Sequence, residues 1–253
     1  MRRSTLSLAL LAGALVSAGC GTPGGSQAVI EPQADQALRA MCKTVGSAKA
    51  FRFRVSALID EGPPGGPMTH ATRETQVLVR RPDAMAAQTR SQDGQWLLRY
   101  RGKTLSLWRE DRNEYATIQV PPTIDKMLDF LFEQYGLTVP LADLEFPDPY
   151  RALTENVQTG AYLGLHSVGQ RPCHHLLFTQ KNVDWQVWID AGEKPLPLKV
   201  VITRKNEPGQ PQHTAELGDW DLAPATPDSA FELTVPAGAK AVDMAELRSE
   251  KGQ

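Results

Sequence analysis

The stretch VDWQVWIDAGEKPLPLKVVITRK, residues 183–205, contains two strands that are apolar on both faces. In the first strand, Trp185, Val187 and Ile189 lie on one face and Trp188 lies on the other. In the second strand, Leu198, Val200 and Ile202 lie on one face and Val201 lies on the other. A sheet with one face in water needs apolar residues on only one side of each strand. The pattern therefore predicts a strongly curved sheet whose concave side holds apolar side chains, helices or a ligand.

Strands with turn residues between them recur along most of the chain. Asp93-Gly94, Arg101-Gly102 and residues 111–113 each separate two short apolar-polar alternations, as in hairpins. About eleven strands can be counted, and the last is FELTV at 231–235. No regular helical crossover separates one strand from the next, so we expect the sheet to be antiparallel.

Two segments have the spacing of helices. Residues 34–48 place Leu38, Met41, Cys42 and Val45 on one helical face. The segment 123–136 begins with a suitable N-cap, Thr123, and ends at Gly136. Its apolar residues cover roughly 200° of the helical wheel at about 100° per residue, so we expect this mid-chain helix to be covered on most sides.

The N-terminus has the pattern of a secretory signal. Arg2 and Arg3 precede an apolar run at 6–16, which is shorter than the roughly 20 residues of a membrane-spanning helix. The segment 17–20, SAGC, resembles the lipobox of bacterial lipoproteins, which predicts a signal peptide at 1–19, a lipidated (palmitate-bearing) Cys20 and a flexible tether over 20–33. An aspartate directly after the lipidated cysteine would favour retention of the lipoprotein in the inner membrane. Gly21 stands at this position instead, which favours the outer membrane. The alternative is an ordinary signal peptide and a soluble periplasmic protein.

Charge and motif content exclude several functional classes. Without residues 1–19 the chain has 25 basic and 29 acidic residues and no basic block, so nucleic acid is not an expected partner. The segment 165–169, LHSVG, lacks the first glycine of a serine-hydrolase elbow. The adjacent His174 and His175 would point to opposite faces of a strand and could not share a metal ion. We therefore expect no enzymatic activity, no metal and no cofactor.

Cys42 and Cys173 remain as thiols once Cys20 is assigned to lipid. In an oxidising compartment they could form a disulfide, or they could stay as two buried thiols, one on a helix and one on a strand. The sequence leaves both alternatives open.

Longer segments carry a family resemblance. VRRPDAM, YRGKTLSLW, EYATIQVPPTIDKML, YGLTVPLADLEFPDPY, VDWQVWIDAGEKPLPLKVVITRKNEPGQPQ and LGDWDLAP resemble a bacterial family of predicted periplasmic proteins, a domain of unknown function. Together with the lipobox and the element order, the chain looks like the LolA/LolB/RseB-type fold. The resemblance implies a mainly β (α+β) fold, an open, curved antiparallel half-barrel with an N-terminal and a mid-chain helix packed at its concave side. The expected domain is 34–240, followed by a C-terminal tail at 241–253.

The resemblance also implies a role without naming a ligand, because better-known members of this fold bind acyl chains or other hydrophobic groups. We expect a periplasm-facing outer-membrane lipoprotein that binds a lipid or an acylated protein. The residues expected to line its hydrophobic interior are Met127, Leu128, Leu131, Phe132, Phe178, Trp185, Trp188, Leu198, Val200 and Ile202. The alternative is an RseB-like interaction or envelope-stress-sensing module with a solid core, which acts on an envelope protein through loops and exposed strand edges.

Overall fold

A curved, open sheet of 13 strands forms the body of the protein in the computed structural model, which describes residues 28–62, 66–137, 139 and 141–248. The strands are β1 Val29–Ile30, β2 Ala50–Glu61, β3 Thr69–Arg80, β4 Ala84–Ser91, β5 Gly94–Arg101, β6 Thr104–Arg109, β7 Glu114–Gln119, β8 Thr159–Val168, β9 Arg171–Thr179, β10 Val183–Asp190, β11 Pro197–Arg204, β12 Gln212–Asp221 and β13 Lys240–Ala241. The helices are α1 Pro32–Gly46, α2 Ile124–Tyr135, α3 Pro149–Thr154 and α4 Met244–Arg248. This confirms the predicted half-barrel with helices.

The sheet consists of two meanders that meet in its middle. β2 to β7 follow one another in space, as do β8 to β12, and β12 pairs antiparallel with β2 to join the two halves. The short end strands differ from the prediction, because β1 pairs parallel with β8 and β13 pairs parallel with β7, over two residues each. These strands are extended chain ends that return to the sheet, so the geometry of a hairpin does not constrain their direction.

The seam between the two meanders carries ion pairs on one face and aromatic packing on the other. Arg54 Nε donates to Asp219 at 2.7 Å and Arg52 to Asp221 at 3.3 Å, both on the exposed face. Trp220 lies between the two aspartates in sequence and stacks on Phe53 on the opposite, concave face, with ring centroids 4.5 Å apart. Exposed ion pairs contribute little to stability, so the aromatic packing stabilises the seam more than the ion pairs do.

The core lies on the concave side, between the sheet and α1 and α2. Buried residues of α1 and α2 share a hydrophobic cluster with inward-facing strand residues such as Phe51 and Phe178. Bulges in β10–β11, β8–β9 and β12–β2 shift the strand register, and bulges increase the local bend of a sheet. The curved sheet and the helices therefore enclose the apolar volume that the sequence pattern requires.

Two boundaries and one strand differ from the prediction. The expected tether at 20–33 overlaps β1 and the start of α1, and its earlier part, including Cys20 and the signal segment, lies outside the described residues. The expected tail from 241 contains α4, whose Met244 and Leu247 are buried in the core. FELTV does not form a strand: Asp228–Phe231 is a 3₁₀ turn, and Phe231 packs with Ala84 and Ala86 in a separate small cluster.

The packing of Phe231, together with ion pairs, fixes the position of the FELTV segment. Arg80 pairs with Asp228 at 2.7 Å, and Arg101 pairs with both Asp228 and Glu232. These contacts hold the segment against β4 and β5, and it is not one of the strands of the sheet. The apolar alternation of 231–235 therefore does not lead to strand pairing.

The cysteines do not form a disulfide. Cys42 and Cys173 are both free and buried. Cys42 belongs to the core cluster on the concave side, whereas the register of β9 places Cys173 on the face opposite to its core residues Leu176 and Phe178. The sheet therefore separates the two thiols. Burial raises the pKa of Cys42 to about 12, so that thiol is unreactive.

Candidate ligand cavity

An apolar cavity of about 190 Å³ lies between the concave face of the sheet and the helices. One wall is made by Val183, Trp185 and Val187 of β10 and by Pro197, Val200 and Ile202 of β11. The opposite wall comes from Met41 of α1, Leu128 and Phe132 of α2, Ala152 and Leu153 of α3, and the segment that follows α2, with Leu137, Val139, Leu141, Leu144 and Phe146.

Strand register brings the sheet wall together. Trp185 lies opposite Ile202 and Val187 lies opposite Val200 in the β10–β11 pair, so all four side chains point to the same face. Trp185 also stacks on the buried ring of Phe178, with centroids 4.1 Å apart and an interplanar angle of 18°. This stacking fixes one orientation of the indole ring at the cavity wall.

The end of α2 turns the chain back over the cavity. Gly136 adopts a left-handed conformation, with φ 58°, that glycine tolerates without strain. Its amide donates to the Phe132 carbonyl, which is the single bond of an αL C-cap, and the Leu137 amide donates to the Leu131 carbonyl. Of the described residues that follow, Leu137, Val139 and Leu141 line the cavity.

Arg81 fastens the far end of this segment to α1. Its guanidinium donates to the carbonyls of Val45 and Ala48 at the end of α1, at 3.2 and 2.8 Å. It also donates to the carbonyls of Leu144 and Phe146, at 3.0 and 3.2 Å. One half-buried side chain therefore joins the wall segment 141–146 to the body of the fold.

Next to this clamp, Glu145 is buried and neither carboxylate oxygen has a hydrogen-bond partner. Burial raises the pKa of the Glu145 carboxyl to about 8, although the charge of Arg81 opposes the shift. The group holds its proton at neutral pH in the folded protein, which removes the cost of a buried, unpaired charge.

The polar atoms around the cavity come from acidic and amide residues. These lining residues are Asp129, Asp143, Glu155, Asn156 and Gln180. Burial, followed by the charges of Asp125, Glu133 and Glu155, raises the pKa of Asp129. Burial also raises the pKa of Asp143. The cavity thus has an apolar interior and an electronegative rim.

The structure brings half of the ten residues expected from the sequence to the cavity: Leu128, Phe132, Trp185, Val200 and Ile202. Met127, Leu131 and Phe178 pack in the core beside it. Trp188 lies on the other face of β10, where it stacks on His175 at 3.8 Å. Leu198 is the extra residue of the bulge between β10 and β11, where it is buried away from the cavity. Strand alternation alone places Trp188 on the face opposite to Trp185, whereas the bulge that displaces Leu198 has no local sequence signal.

Sequence reasoning missed the segment from Leu137 to Phe146, which supplies much of the cavity wall. Its apolar residues follow no single helical or strand period, and one proline, Pro140, interrupts it; they are Leu137, Val139, Leu141, Leu144 and Phe146. Their number in a short, turn-rich connection was a usable signal, because a loop exposed to water does not need five large apolar side chains.

The two adjacent histidines point to opposite faces, as expected. His174 contacts the Tyr162 hydroxyl at 2.9 Å, whereas His175 contacts Gln186 at 2.9 Å and His166 at 2.7 Å. Among the described residues, no group of three or more His, Cys, Asp or Glu side chains is arranged to hold a metal ion. None of the described helices has the length and apolar character to cross a bilayer.

A family model described as "Predicted periplasmic protein (DUF2092)" matches residues 34–245, which confirms the family resemblance seen in the sequence. No curated protein matches this sequence.

The fold is similar to that of solved structures at low sequence identity. Lipoprotein LppX from Mycobacterium tuberculosis is 14% identical, with 78% of this chain and 98% of LppX covered and a TM-score of 0.49. LprF from Mycobacterium bovis is 14% identical, with 83% and 98% covered and a TM-score of 0.48. The Pseudomonas aeruginosa MucA/MucB complex gives 18% identity, 79% and 61% coverage and a TM-score of 0.41.

Proposed function

This chain belongs to the family of predicted periplasmic proteins DUF2092, and on that premise we propose that it is a non-enzymatic binding protein of the bacterial envelope. Its ligand is the apolar tail of a lipid or of an acylated protein. The observation that carries the proposal is the apolar cavity between the curved sheet and α2. We further propose that Cys20 anchors the protein in the outer membrane, with the domain facing the periplasm.

The size of the cavity sets what it holds when closed. A cavity of roughly 150 Å³ accommodates benzene, a six-carbon ring. The volume of about 190 Å³ found here therefore corresponds to a short alkyl segment, on the order of eight carbons at the same packing. A longer acyl chain requires the opposite wall to move away from the sheet.

In this proposal α2 is the part of the wall that opens, because Arg81 fastens the segment 141–146 to the body of the fold. Leu128 and Phe132 lie one turn apart on α2 and reach the cavity through side chains alone, whereas the sheet wall is held by continuous strand pairing. Each buried methylene contributes about 0.8 kcal/mol, or about a fourfold gain in affinity. A tail of ten or more carbons can thus offset the cost of displacing the helix.

A cavity-filling variant tests the proposal. Ala152→Phe places a ring in the cavity, and Ala40→Phe makes the same change at an exposed position of α1. Isothermal titration calorimetry with 1-octanol should show binding to the native protein and to Ala40→Phe, and at least tenfold weaker binding to Ala152→Phe. Equal binding to all three proteins, or binding to none, would overturn the proposal.

The opening step has its own readout. Along the series 1-hexanol, 1-octanol and 1-decanol, we expect the affinity to rise about fourfold for each added carbon without levelling off. If the affinity stops rising at eight carbons, the cavity is rigid and the opening step is wrong, although short-chain binding stands.

A second candidate, interaction with an envelope protein, is favoured by the edge of β8. Within the described residues β1 pairs with β8 only at Thr159 and Gly160, and Leu163 and Leu165 further along the strand are 41% and 60% exposed. Such an edge can accept an extended segment of a partner. A photo-cross-linker at position 165 should trap a defined partner in envelope extracts. In a second experiment the cross-linker is placed at position 163, and Leu165→Lys should abolish the cross-link.

A further inference from the structure

The charged side chains that line the cavity are all acidic. Asp129 lies on α2, Glu155 directly follows α3, and Asp143 lies in the segment between them, so three separate elements each contribute a carboxyl group to the lining. The other polar lining residues, Asn156 and Gln180, are neutral amides. No lysine, arginine or histidine is found among the described residues that line the cavity.

These carboxylates are not neutralised within the described part of the protein. None of the ion pairs found there involves Asp129, Asp143 or Glu155. Lys205, which donates to the backbone carbonyl of the lining residue Gln180, is itself paired with Asp184 at 2.7 Å. The charge of Glu155 contributes to raising the pKa of Asp129, so these two carboxyl groups repel each other.

An apolar cavity with such a rim discriminates between head groups. The tail of an amphiphile gains the same free energy from burial whichever head it carries. An anionic head placed at the rim would add a like charge to the existing repulsion, whereas an ammonium head would relieve it. A fatty acid and an alkylamine of the same length therefore differ only in the electrostatic interaction with the rim.

We propose that the cavity selects single-chain amphiphiles with an ammonium head group over those with an anionic head group. This inference rests on the proposed binding function and adds the chemical class of the ligand. The tail supplies the affinity and the acidic rim supplies the selection. Free fatty acids, which an apolar cavity alone would accept, are then the poorer ligands.

The test compares three probes with the same tail: octylamine, 1-octanol and octanoate, which at pH 7 are cationic, neutral and anionic. Calorimetric titration of the native protein should show octylamine binding at least tenfold more tightly than octanoate, with 1-octanol between them. Because the rim is solvent-accessible, 0.5 M NaCl should reduce this ratio to within about threefold.

A double variant locates the selectivity in the rim. Asp129→Asn/Glu155→Gln removes two exposed charges that form no ion pair within the described residues, so we expect the fold to be retained. In this variant the octylamine-to-octanoate ratio should fall to threefold or less, while the affinity for 1-octanol changes less than twofold. The control Asp93→Asn/Glu193→Gln makes the same charge change at exposed positions outside the cavity and should keep the native ratio.

The outcomes separate the two proposals. If octanoate binds the native protein as tightly as octylamine while 1-octanol also binds, head-group selection is wrong and the apolar cavity stands. If the control variant loses the ratio as fully as the rim variant, selection comes from net charge and the inference is again wrong. If none of the three probes binds, the binding function itself fails, and the inference fails with it.

Discussion

At the scale of single residues, Glu145 links the stability of the fold to pH. The pKa of its carboxyl is raised to about 8 by burial, well above the value of 4.5 expected in the unfolded chain. Between these values the folded protein keeps a proton that the unfolded chain releases, so stability decreases as pH rises from about 4.5 to about 8. The decrease is at most about 1.4 kcal/mol per pH unit.

Glu145→Gln should therefore flatten this decrease. The measurement is the urea midpoint of unfolding at pH 5, 6, 7 and 8 for the variant and the native protein. His213 acts in the opposite direction, because burial lowers its pKa to about 4 and its stabilising effect is lost as pH falls below 6.5. The difference between the two proteins isolates Glu145. The assignment to Glu145 would be contradicted if Glu145→Gln kept the native dependence of stability on pH. It would also be contradicted if the exposed-site control Glu133→Gln flattened that dependence.

Gly160 is required by a close approach of two side chains. A Cβ at this position of β8 would lie 2.7 Å from the Phe178 ring and 2.9 Å from Ile30 Cγ2. Because Phe178 is fully buried and stacked on Trp185, the ring cannot move aside. Gly160→Ala should lower the free energy of unfolding by about 1–3 kcal/mol, as measured in urea. Gly218→Ala, where no atom lies within 4 Å of the new Cβ, is the matched control and should stay within about 0.5 kcal/mol of the native protein.

At the scale of elements, Arg81 holds α1 and the wall segment 141–146 together through four carbonyls. A lysine keeps the charge but cannot reach four acceptors in two directions. Arg81→Lys should cost about 2–4 kcal/mol of stability, since hydrogen bonds to charged groups contribute about 1.5–3 kcal/mol each and some would be kept.

The local signature of the Arg81→Lys variant is faster hydrogen exchange over residues 141–148 and at the end of α1. The exchange of β10 and β11 should be unchanged. Arg39→Lys, at an exposed position of α1, is the control. Uniformly faster exchange across the sheet would show that Arg81 stabilises the whole fold and is not a local clamp.

The elements that could be predicted from the sequence are those that follow one period and end at a strong signal. α2 extends from Ile124 to Tyr135 between the expected Thr123 and Gly136. The hairpins at Asp93-Gly94 and Arg101-Gly102 form where the turn residues indicate. In each case the local preference and the tertiary structure agree.

The cavity could be predicted only in part, because its two walls obey different rules. The sheet wall follows strand alternation and was found, except where the bulge displaces Leu198. The described residues after Gly136 also depend on the Arg81 clamp, whose contacts with Leu144 and Phe146 are distant in sequence. No local pattern encodes these contacts, so the acidic rim could not be located from the sequence either.

At the scale of the whole molecule, the position of the protein in the cell depends on Cys20, which lies outside the described residues. If Cys20 is acylated, the protein partitions into the detergent phase, because each buried methylene contributes about 0.8 kcal/mol to membrane binding. Cys20→Ser should move the protein to the aqueous phase and remove the mass of the acyl chains from the intact-mass spectrum.

Cys42→Ser serves as the control for acylation, since Cys42 is a buried core thiol and should not affect partition. A native protein whose mature N-terminus carries no acyl group would contradict the anchoring proposal and leave the cavity proposal untouched. The soluble periplasmic alternative would then apply.

The pairing of β12 with β2 has a consequence for how the chain reaches its native state. The two strands begin at Gln212 and Ala50, far apart in sequence, whereas the other long strands pair with sequence neighbours. The first meander can assemble early but keeps β2 as a bare edge until the second one is complete, and such an edge also recruits other copies. Refolding yield should therefore fall as protein concentration rises, and in vivo a holdase that shields β2 during this interval would be an advantage.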